Sequence, residues 1–328
     1  MRYKEDFCRS SLTWNIYSGA DFTPIVIAPP ALLPERVTEV FRQFLATNFL
    51  ARVKKIACEI ALKKPSLIGL QEAELWQLVI PNFQVVTYDF IQLLLFELEE
   101  MGIEYKVATE NQNFTAELPD SNGNLVRFLD RDTILVHKKY EHSIVNKQEA
   151  NYKANLTVQI AGQPFVILRG WSSVDAELDD NIFRMINTHL EPAAPDIQVE
   201  QALELLAGPA NTKMPVIIAG DINSNADGSE TPTYGIFINA GFQDVWKEVG
   251  IGPGFTCCQA PDLLNAASGL NRRIDFILFK NGWKPIRAHL VGDGQDDRTF
   301  TGLWPSDHAG VSAWLVLNYG CCHDSPKE

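Results

Sequence analysis

The most informative residues of this sequence are polar side chains that directly follow apolar, strand-like segments. Carboxylates, amides and imidazoles of this kind bind divalent metals or transfer protons. Because strand ends are rigid, they can present such side chains to one cleft, as the hydrolysis of a phosphate ester requires. The pattern occurs at Asn15, Gln71-Glu72, Asn187 to His189, Asp221 to Asn223, Asp275 and Asp307-His308.

The carboxylates of this set predict a metal site. Glu72, Asp221 and Asp307 can supply the hard oxygen ligands that Mg²⁺ prefers. Asn15 and Asn223 can add amide oxygens or hold the phosphate. Mg²⁺ keeps several waters and is seldom enclosed by protein ligands alone. We therefore expect Mg²⁺ as the cofactor, with Mn²⁺ or Ca²⁺ as alternative ions.

Two histidines in the same pattern predict acid–base chemistry. His189 ends a strand-like segment, and His308 directly follows the acidic residue Asp307. Imidazoles change charge near neutral pH, so both side chains can transfer protons there. A histidine that transfers protons needs a carboxylate to fix its orientation. Asp275 is the candidate orienting partner of His308.

Short motifs containing these residues follow one another between residues 13 and 308. Each motif is weak by itself, but their common order over nearly the whole chain is specific. The motifs are Thr13-Trp14-Asn15, Gln71-Glu72, Asn187-Thr188-His189-Leu190, Gly220-Asp221-Ile222-Asn223, Arg273-Ile274-Asp275-Phe276 and Ser306-Asp307-His308. In this order they resemble the endonuclease/exonuclease/phosphatase superfamily, which has the DNase I-like fold.

The resemblance implies roles for the metal and water sites. In that superfamily, the residues that match Asn15 and Glu72 hold the divalent metal. Asp221 and Asn223 match residues that orient or activate the water and contact the phosphate. Asp307 is similar to a residue that binds metal or positions water.

The resemblance also implies roles for the histidines. His308, paired with Asp275, resembles the histidine that stabilises or protonates the phosphoryl centre. His189 matches a second histidine that occurs in DNase I-like and sphingomyelinase-like members but is replaced in abasic-site endonucleases. The assignment of general base and general acid among these residues stays open.

The sequence departs from the family pattern in three respects. The interval from Asn15 to Glu72 is long, and Tyr17 stands where abasic-site endonucleases usually have aspartate. Both departures weigh against DNA repair. In addition, Ile222 replaces the common aromatic residue.

Two further residues are candidates for substrate binding. Arg131 resembles the basic residue with which DNase I-like nucleases contact the phosphate backbone; the alternative is a solvated ion pair with Asp132 at the start of a strand. Trp304 stands beside Asp307 and His308, where it would contact an apolar or aromatic substrate group; the alternative is a core residue.

The elements that position these residues follow from apolar periodicity. Val37, Val40, Phe41 and Phe44 begin a stripe that predicts one long helix ending at residues 63–65, and further helices are predicted at 90–102 and 202–208. Strands are predicted at 12–16, 67–70, 133–137, 165–168, 183–189, 216–219 and 274–279. The resemblance implies an α+β fold of four layers, two packed β-sheets flanked by helices, in a single domain spanning 1–328.

Composition limits the classes of partner. Hydrophobic residues make up 46% of the chain, as in soluble globular proteins, and 28 Lys and Arg against 41 Asp and Glu give a net charge of −13. This charge disfavours tight non-specific binding to nucleic acid or anionic lipid, although a bound divalent cation inverts the field at a carboxylate site. We expect a monomer.

No transmembrane or leader segment is recognisable in the sequence. We expect a cytoplasmic protein if Met1 is the native start and a secreted one if a leader was removed. The cysteines include two adjacent pairs, Cys257-Cys258 and Cys321-Cys322, whose disulfide state stays open.

These observations together predict a Mg²⁺-dependent phosphoesterase that uses water to hydrolyse a phosphodiester, with nucleic acid as the first substrate and a sphingomyelinase-like or inositol-phosphate phosphatase as the alternative. A non-catalytic binding module on the same fold is the more distant alternative. An EF-hand is disfavoured because Ala226 and Pro232 stand where its glycine and glutamate should be. No G-x-S-x-G segment supports a serine hydrolase.

Overall fold

Two large mixed β-sheets packed face to face, with helices against both outer faces, form the architecture of the protein. The computed structural model describes residues 8–178 and 181–317. The predicted four-layered α+β sandwich is confirmed. Over the described ranges, none of the helices has the length and apolar character needed to cross a membrane.

The first sheet contains the strands that carry Asn15 and lead to Glu72. Its members are β1 (Cys8–Asn15), β2 (Leu67–Gln71), β3 (Leu75–Ile80), β4 (Gln84–Asp89), β5 (Tyr105–Pro119), β6 (Leu125–His137), β15 (Trp283–Val291) and β16 (Gly310–Leu317). The strand order is β15-β16-β1-β2-β6-β3-β4, with β5 paired along β6. β1 and β2 are parallel, so both strands end at the same edge.

The second sheet contains the strands that carry His189, Asp221 and Asp275. Its members are β7 (Ile144–Asn151), β10 (Gly170–Leu178), β11 (Asn181–His189), β12 (Val216–Asp221), β13 (Gln243–Asp244) and β14 (Asp275–Lys280), in the order β13-β14-β12-β11-β10-β7. β11 and β12 are parallel. A separate hairpin consists of β8 (Leu156–Ile160) and β9 (Gln163–Ile167).

Helices cover the outer face of each sheet with their apolar sides. α2 (Leu33–Ala46), α3 (Phe49–Lys63) and α4 (Phe90–Glu100) share a core with the first sheet, preceded by the short α1 (Thr23–Val26). α5 (Pro195–Ala207) and α6 (Thr233–Asn239) share a core with the second sheet, and α7 (Val245–Val249) follows β13.

The prediction of one long helix ending near residue 63 is wrong, because the chain breaks between α2 and α3. Asn48 adopts a left-handed backbone conformation, with φ 41°, and its side chain accepts a hydrogen bond from the backbone N–H of Ala51 at 3.3 Å. Asparagine tolerates this conformation and caps helices well, so the apolar stripe continues while the helix does not.

One of the two adjacent cysteine pairs lies within the residues that the structure describes. The structure pairs the adjacent Cys257 and Cys258 with each other. Cys321 and Cys322 lie outside the described residues.

A polar side chain, Asn187, crosses the apolar core between the sheets. It is fully buried on β11, and its Nδ2 donates to the backbone oxygens of Leu70 at 3.0 Å and Thr133 at 3.2 Å. Its Oδ1 accepts from Nε2 of Gln71 at 2.6 Å. The facing position is Gly69, where a Cβ would lie 2.6 Å from Asn187 Oδ1. The two sheets are therefore tied together close to the ends of β2 and β11.

Replacing Asn187 with alanine should destabilise the protein. The change leaves buried carbonyl oxygens and an amide of the first sheet without their partner, and each such group costs roughly 1–3 kcal/mol. We expect the free energy of unfolding to fall by about 3 kcal/mol or more, measured by urea denaturation. Asn151→Ala is the matched control, because Asn151 is exposed and donates one bond to the Gln112 carbonyl. Equal losses in the two variants would contradict a role of Asn187 in joining the sheets.

Candidate active site

Strand register brings the predicted site residues to one end of the sandwich. In the first sheet, Asn15 is paired with Gln71, which precedes Glu72. In the second sheet, Asp221 is paired with His189 on one side and with Asp275 on the other.

The loop that precedes β16 completes this end of the sandwich. Ser306 Oγ donates to the Asn15 carbonyl at 2.7 Å, and the Trp14 indole donates to the His308 carbonyl at 2.9 Å. These bonds hold Asp307 and His308 against the end of β1.

Asn15 connects carboxylates of the two sheets. Its Nδ2 donates to Glu72 Oε1 at 2.9 Å and to Asp221 Oδ2 at 3.2 Å. The second oxygen of Glu72 accepts from the backbone N–H of Ser18 at 2.6 Å, and Asn15 Oδ1 accepts from the backbone N–H of Tyr17 at 3.0 Å. Glu72 and Asp221 are thereby held on either side of one amide.

His308 is oriented by Asp275. Its Nδ1 lies 2.9 Å from Asp275 Oδ2 and 3.8 Å from Asp221 Oδ2. Burial lowers the pKa of His308, but the surrounding carboxylates, Asp275 and then Asp307 foremost, raise that pKa well above its ordinary value. The surrounding carboxylates therefore favour the imidazolium form of His308, which can donate to an anion.

His189 has the opposite electrostatic environment. Burial, the Arg169 charge and His308 hold the pKa of His189 well below its ordinary value. Its Nδ1 lies 3.0 Å from Arg169 Nη1, and a guanidinium can only donate, so Nδ1 accepts. The neutral ring then carries its proton on Nε2, which faces Asp221 Oδ2 at 3.6 Å.

The carboxylates concentrate negative charge in a buried space. Burial and the adjacent Asp275 raise the pKa of Asp221 to about 7. Burial raises the pKa of Asp307 to about 6, with Glu72 adding to the rise and His308 opposing it. A bound divalent cation would relieve this repulsion.

The donor set fits such a cation. Glu72, Asp221 and Asp307 offer hard carboxylate oxygens. Asp221 and Asp275, each with a carboxylate oxygen within 4.8 Å of a ring nitrogen of His308, add to the carboxylate charge of this region. Among the described residues, Asp275 Oδ1 is buried with no hydrogen-bond partner.

Asn223 lies at the edge of the same cluster. Its backbone is left-handed, with φ 50°, and its N–H donates to Asp221 Oδ1 at 2.9 Å. Its side-chain Nδ2 donates to the Leu190 carbonyl at 2.9 Å. The residue thus fixes the loop that follows β12 and the orientation of Asp221.

Arg131 and Trp304 lie outside this cluster. Arg131 is in the interior of β6 and is 6% exposed; it donates to Asp89 Oδ1 at 2.8 Å and to the Ala73 carbonyl at 3.0 Å. It is a buried anchor of the loop after Glu72, and the alternative of a solvated ion pair is wrong. Trp304 is fully buried and donates to the Asn265 carbonyl at 2.9 Å, as the core alternative describes.

Arg169 is a site residue that the sequence reasoning missed. Besides His189, its Nη1 contacts Asp130 Oδ2 at 3.4 Å. The side chain of Asp132 lies nearby, 4.0 Å from His189 Nδ1. Arg169 directly follows the strand-like stretch 165–168, so the rule that found the acids and histidines would have found it had basic residues been included.

Sequence and structure comparisons point to one family. The sequence model of the Endonuclease/Exonuclease/phosphatase family matches residues 12–308. A family protein from Bacteroides thetaiotaomicron is similar in structure, with a TM-score of 0.61, 16% identity and coverage of 97% of this chain and 98% of that one. No curated protein sequence matches the chain.

Two other similar structures carry more specific descriptions. The mannosyl-6-phosphatase Bt3783 of Bacteroides thetaiotaomicron VPI-5482 has a TM-score of 0.58 and 16% identity, with 94% of this chain and 100% of that chain covered. The D. rerio TDP2 complexed with single strand DNA product has a TM-score of 0.56 and 15% identity, with 94% and 99% covered. At these identities the likeness establishes the DNase I-like fold.

A test of the site geometry uses Gly220, which precedes Asp221 in β12. A Cβ at this position would overlap the backbone oxygen of Thr188 in β11, the strand that ends at His189. We expect Gly220→Ala to separate the two strand ends and to lower the free energy of unfolding by roughly 2 kcal/mol or more, measured by urea denaturation.

Gly235→Ala is the matched control, because Gly235 lies within α6 and a Cβ there meets nothing within 4 Å. Alanine in a helix should leave stability unchanged or raise it by up to about 1 kcal/mol. A Gly220→Ala protein as stable as Gly235→Ala would contradict the close strand approach at the site.

Proposed function

The chain belongs to the endonuclease/exonuclease/phosphatase family, whose members are phosphoester hydrolases, and from this premise we propose that it is a Mg²⁺-dependent phosphodiesterase. One observation carries the proposal. Asn15 bonds carboxylates from both sheets, Glu72 and Asp221, beside an imidazole that Asp275 orients. Carboxylates, amide and imidazolium meet in one place, as water attack on a phosphate requires.

The metal would be held at the junction of the sheets. Glu72 and Asp307 are the proposed carboxylate ligands, since their oxygens suit a hard cation and their charges repel each other. Asn15 is the third proposed ligand, through the Oδ1 that accepts here from the Tyr17 N–H. When bound, the cation supplies charge neutralisation for the phosphoryl oxygens.

The proton transfers are assigned from the pKa directions. Asp221, with a pKa of about 7, is the proposed general base that takes a proton from the attacking water, and Asn223 orients it. The His308 imidazolium donates a hydrogen bond to a phosphoryl oxygen, and one such donor contributes about 3 kcal/mol of transition-state stabilisation. His189 is neutral in this scheme, and its Nε2–H, which faces Asp221 Oδ2, is a second hydrogen-bond donor in the site.

The candidate substrates are drawn from the similar structures and from the cavity beside the site. One similar structure is described with a single strand DNA product and another as a mannosyl-6-phosphatase, so the fold serves more than one ester type. Nucleic acid remains the first substrate to test, although a net charge of −13 opposes long-range attraction to a polyanion. A lipid-like diester is the second candidate, favoured by an apolar cavity beside Glu72.

Loss of the base or the imidazolium should reduce turnover without unfolding the chain. We expect Asp221→Asn and His308→Ala each to lower kcat for bis-nitrophenyl phosphate by about 10²–10⁴ in the presence of Mg²⁺, measured by nitrophenol release. Asp227→Asn and His289→Ala are the matched controls, because both residues are exposed. Near-normal kcat in either site variant would refute the assignment.

Removal of Glu72 should abolish binding of the cation. Wild-type protein should bind Mg²⁺ or Mn²⁺ in isothermal titration calorimetry. The bound cation should also raise the free energy of unfolding, by about 2.7 kcal/mol at a cation concentration of a hundred times Kd. Glu72→Gln should lose both signals, whereas Glu248→Gln, at an exposed position of α7, should keep them. Identical binding isotherms for the two variants would exclude Glu72 as a ligand.

A further inference from the structure

A partly open cavity of about 240 Å³ lies on the outer face of the first sheet, next to the candidate active site. Its walls come from α1, α2, the paired strands β5 and β6, and the β8–β9 hairpin. The proton transfers and the metal ligands assigned above make no use of this space.

The walls of the cavity are mostly apolar, and the polar side chains among them are Ser18, Glu72, Glu74, Asp130 and Arg169. Phe22, Trp76 and Phe128 form one group of rings, with centroids 5.7 Å apart for Phe22 and Trp76 and 4.9 Å apart for Phe22 and Phe128. The hairpin contributes Val158 and Ile160 from alternate positions of β8. An apolar group gains free energy when it leaves water for such a surface, whereas a polar group placed against the apolar part of the wall would lose its hydration without compensation.

The polar end of the cavity belongs to the active site. Glu72 lines the cavity and bonds Asn15. Arg169 also lines it, and the same guanidinium contacts His189 at 3.0 Å and Asp130 at 3.4 Å. A molecule whose phosphate lies at the cluster therefore has an apolar space within reach of its ester group.

We propose that this cavity binds the hydrocarbon group of the substrate, a phosphodiester that carries one uncharged alkyl or aryl substituent. The inference rests on the phosphodiesterase function proposed above and adds the chemical class of the substrate. A cavity of about 150 Å³ holds benzene, so one of 240 Å³ corresponds to roughly ten carbon atoms.

The size of the cavity predicts a specific dependence on chain length. Methyl n-alkyl phosphates, from methyl to tetradecyl, are incubated with the Mg²⁺-loaded enzyme below their micelle concentrations, and the monoester product is measured by mass spectrometry. We expect kcat/KM to rise roughly two- to fourfold per methylene and to level off near ten carbons. Methyl 2-naphthyl phosphate, with the same number of carbons as the decyl ester, distinguishes a ring from a chain as the preferred group.

Two outcomes of this series separate the inference from the function on which it rests. Hydrolysis of all esters with the same kcat/KM overturns the apolar-group inference and leaves the phosphodiesterase proposal in place. Absence of product from every ester, the methyl ester and bis-nitrophenyl phosphate included, overturns both.

Paired variants of the β8–β9 hairpin locate the effect. Val158→Phe fills the cavity, so the ratio of kcat/KM for the decyl and methyl esters should fall at least tenfold. Val166→Phe is the matched control on the neighbouring strand, where Val166 is 49% exposed and does not line the cavity. An unchanged ratio in folded Val158→Phe would overturn the inference.

A variant that enlarges the cavity should extend the range of chain lengths over which kcat/KM rises, an effect that misfolding would not produce. Phe114 lines the cavity, and Phe114→Ala should move the levelling-off point to chains several carbons longer. A levelling-off point that stays near ten carbons in this variant would overturn the placement of the hydrocarbon group.

Discussion

The side chain of Asn187 leaves the second sheet and takes its hydrogen-bond partners from the first, and the remaining features of the site depend on this contact. Its fully buried amide donates to the carbonyls of Leu70 and Thr133. An apolar interface between two sheets tolerates sliding, whereas a buried amide with directional partners does not. Asn15 makes a second contact between the sheets, at the end of the sandwich, where its side-chain amide donates to Glu72 and to Asp221. Two independent sheets thus become one rigid support for a site whose residues come from both.

The same support confines charges that repel each other. Asp221, Asp275 and Asp307 are gathered within a small region, where they raise the pKa of His308, while burial and Arg169 lower the pKa of His189. Two chemically identical imidazoles therefore take different parts in the proposed reaction, one as a cationic donor and one as a neutral donor. Divalent metal dependence, general in the family, follows the same logic, because a cation offsets the excess of carboxylate charge.

Much of the site could be predicted from the sequence because strand ends are local features. An apolar run that stops at Asp221 or His189 places that residue at a sheet edge whatever the rest of the chain does. Features that depend on distant partners could not be found in this way. The break at Asn48 depends on a left-handed backbone that apolar periodicity does not report, and the contact of Arg169 with His189 depends on sheet pairing. The apolar cavity is assembled from α1, α2, β5, β6 and a hairpin, none of which encloses it alone.

In the proposed reaction, water attacks a phosphodiester at phosphorus at the junction of the two sheets. Hydrolysis of a diester in ¹⁸O-enriched water with saturating Mg²⁺, followed by mass spectrometry of both products, tests this most directly. Attack at phosphorus by water held near Asp221 predicts one ¹⁸O atom in the phosphate monoester and none in the released alcohol. Label in the alcohol, or no product with any divalent cation, would contradict the account.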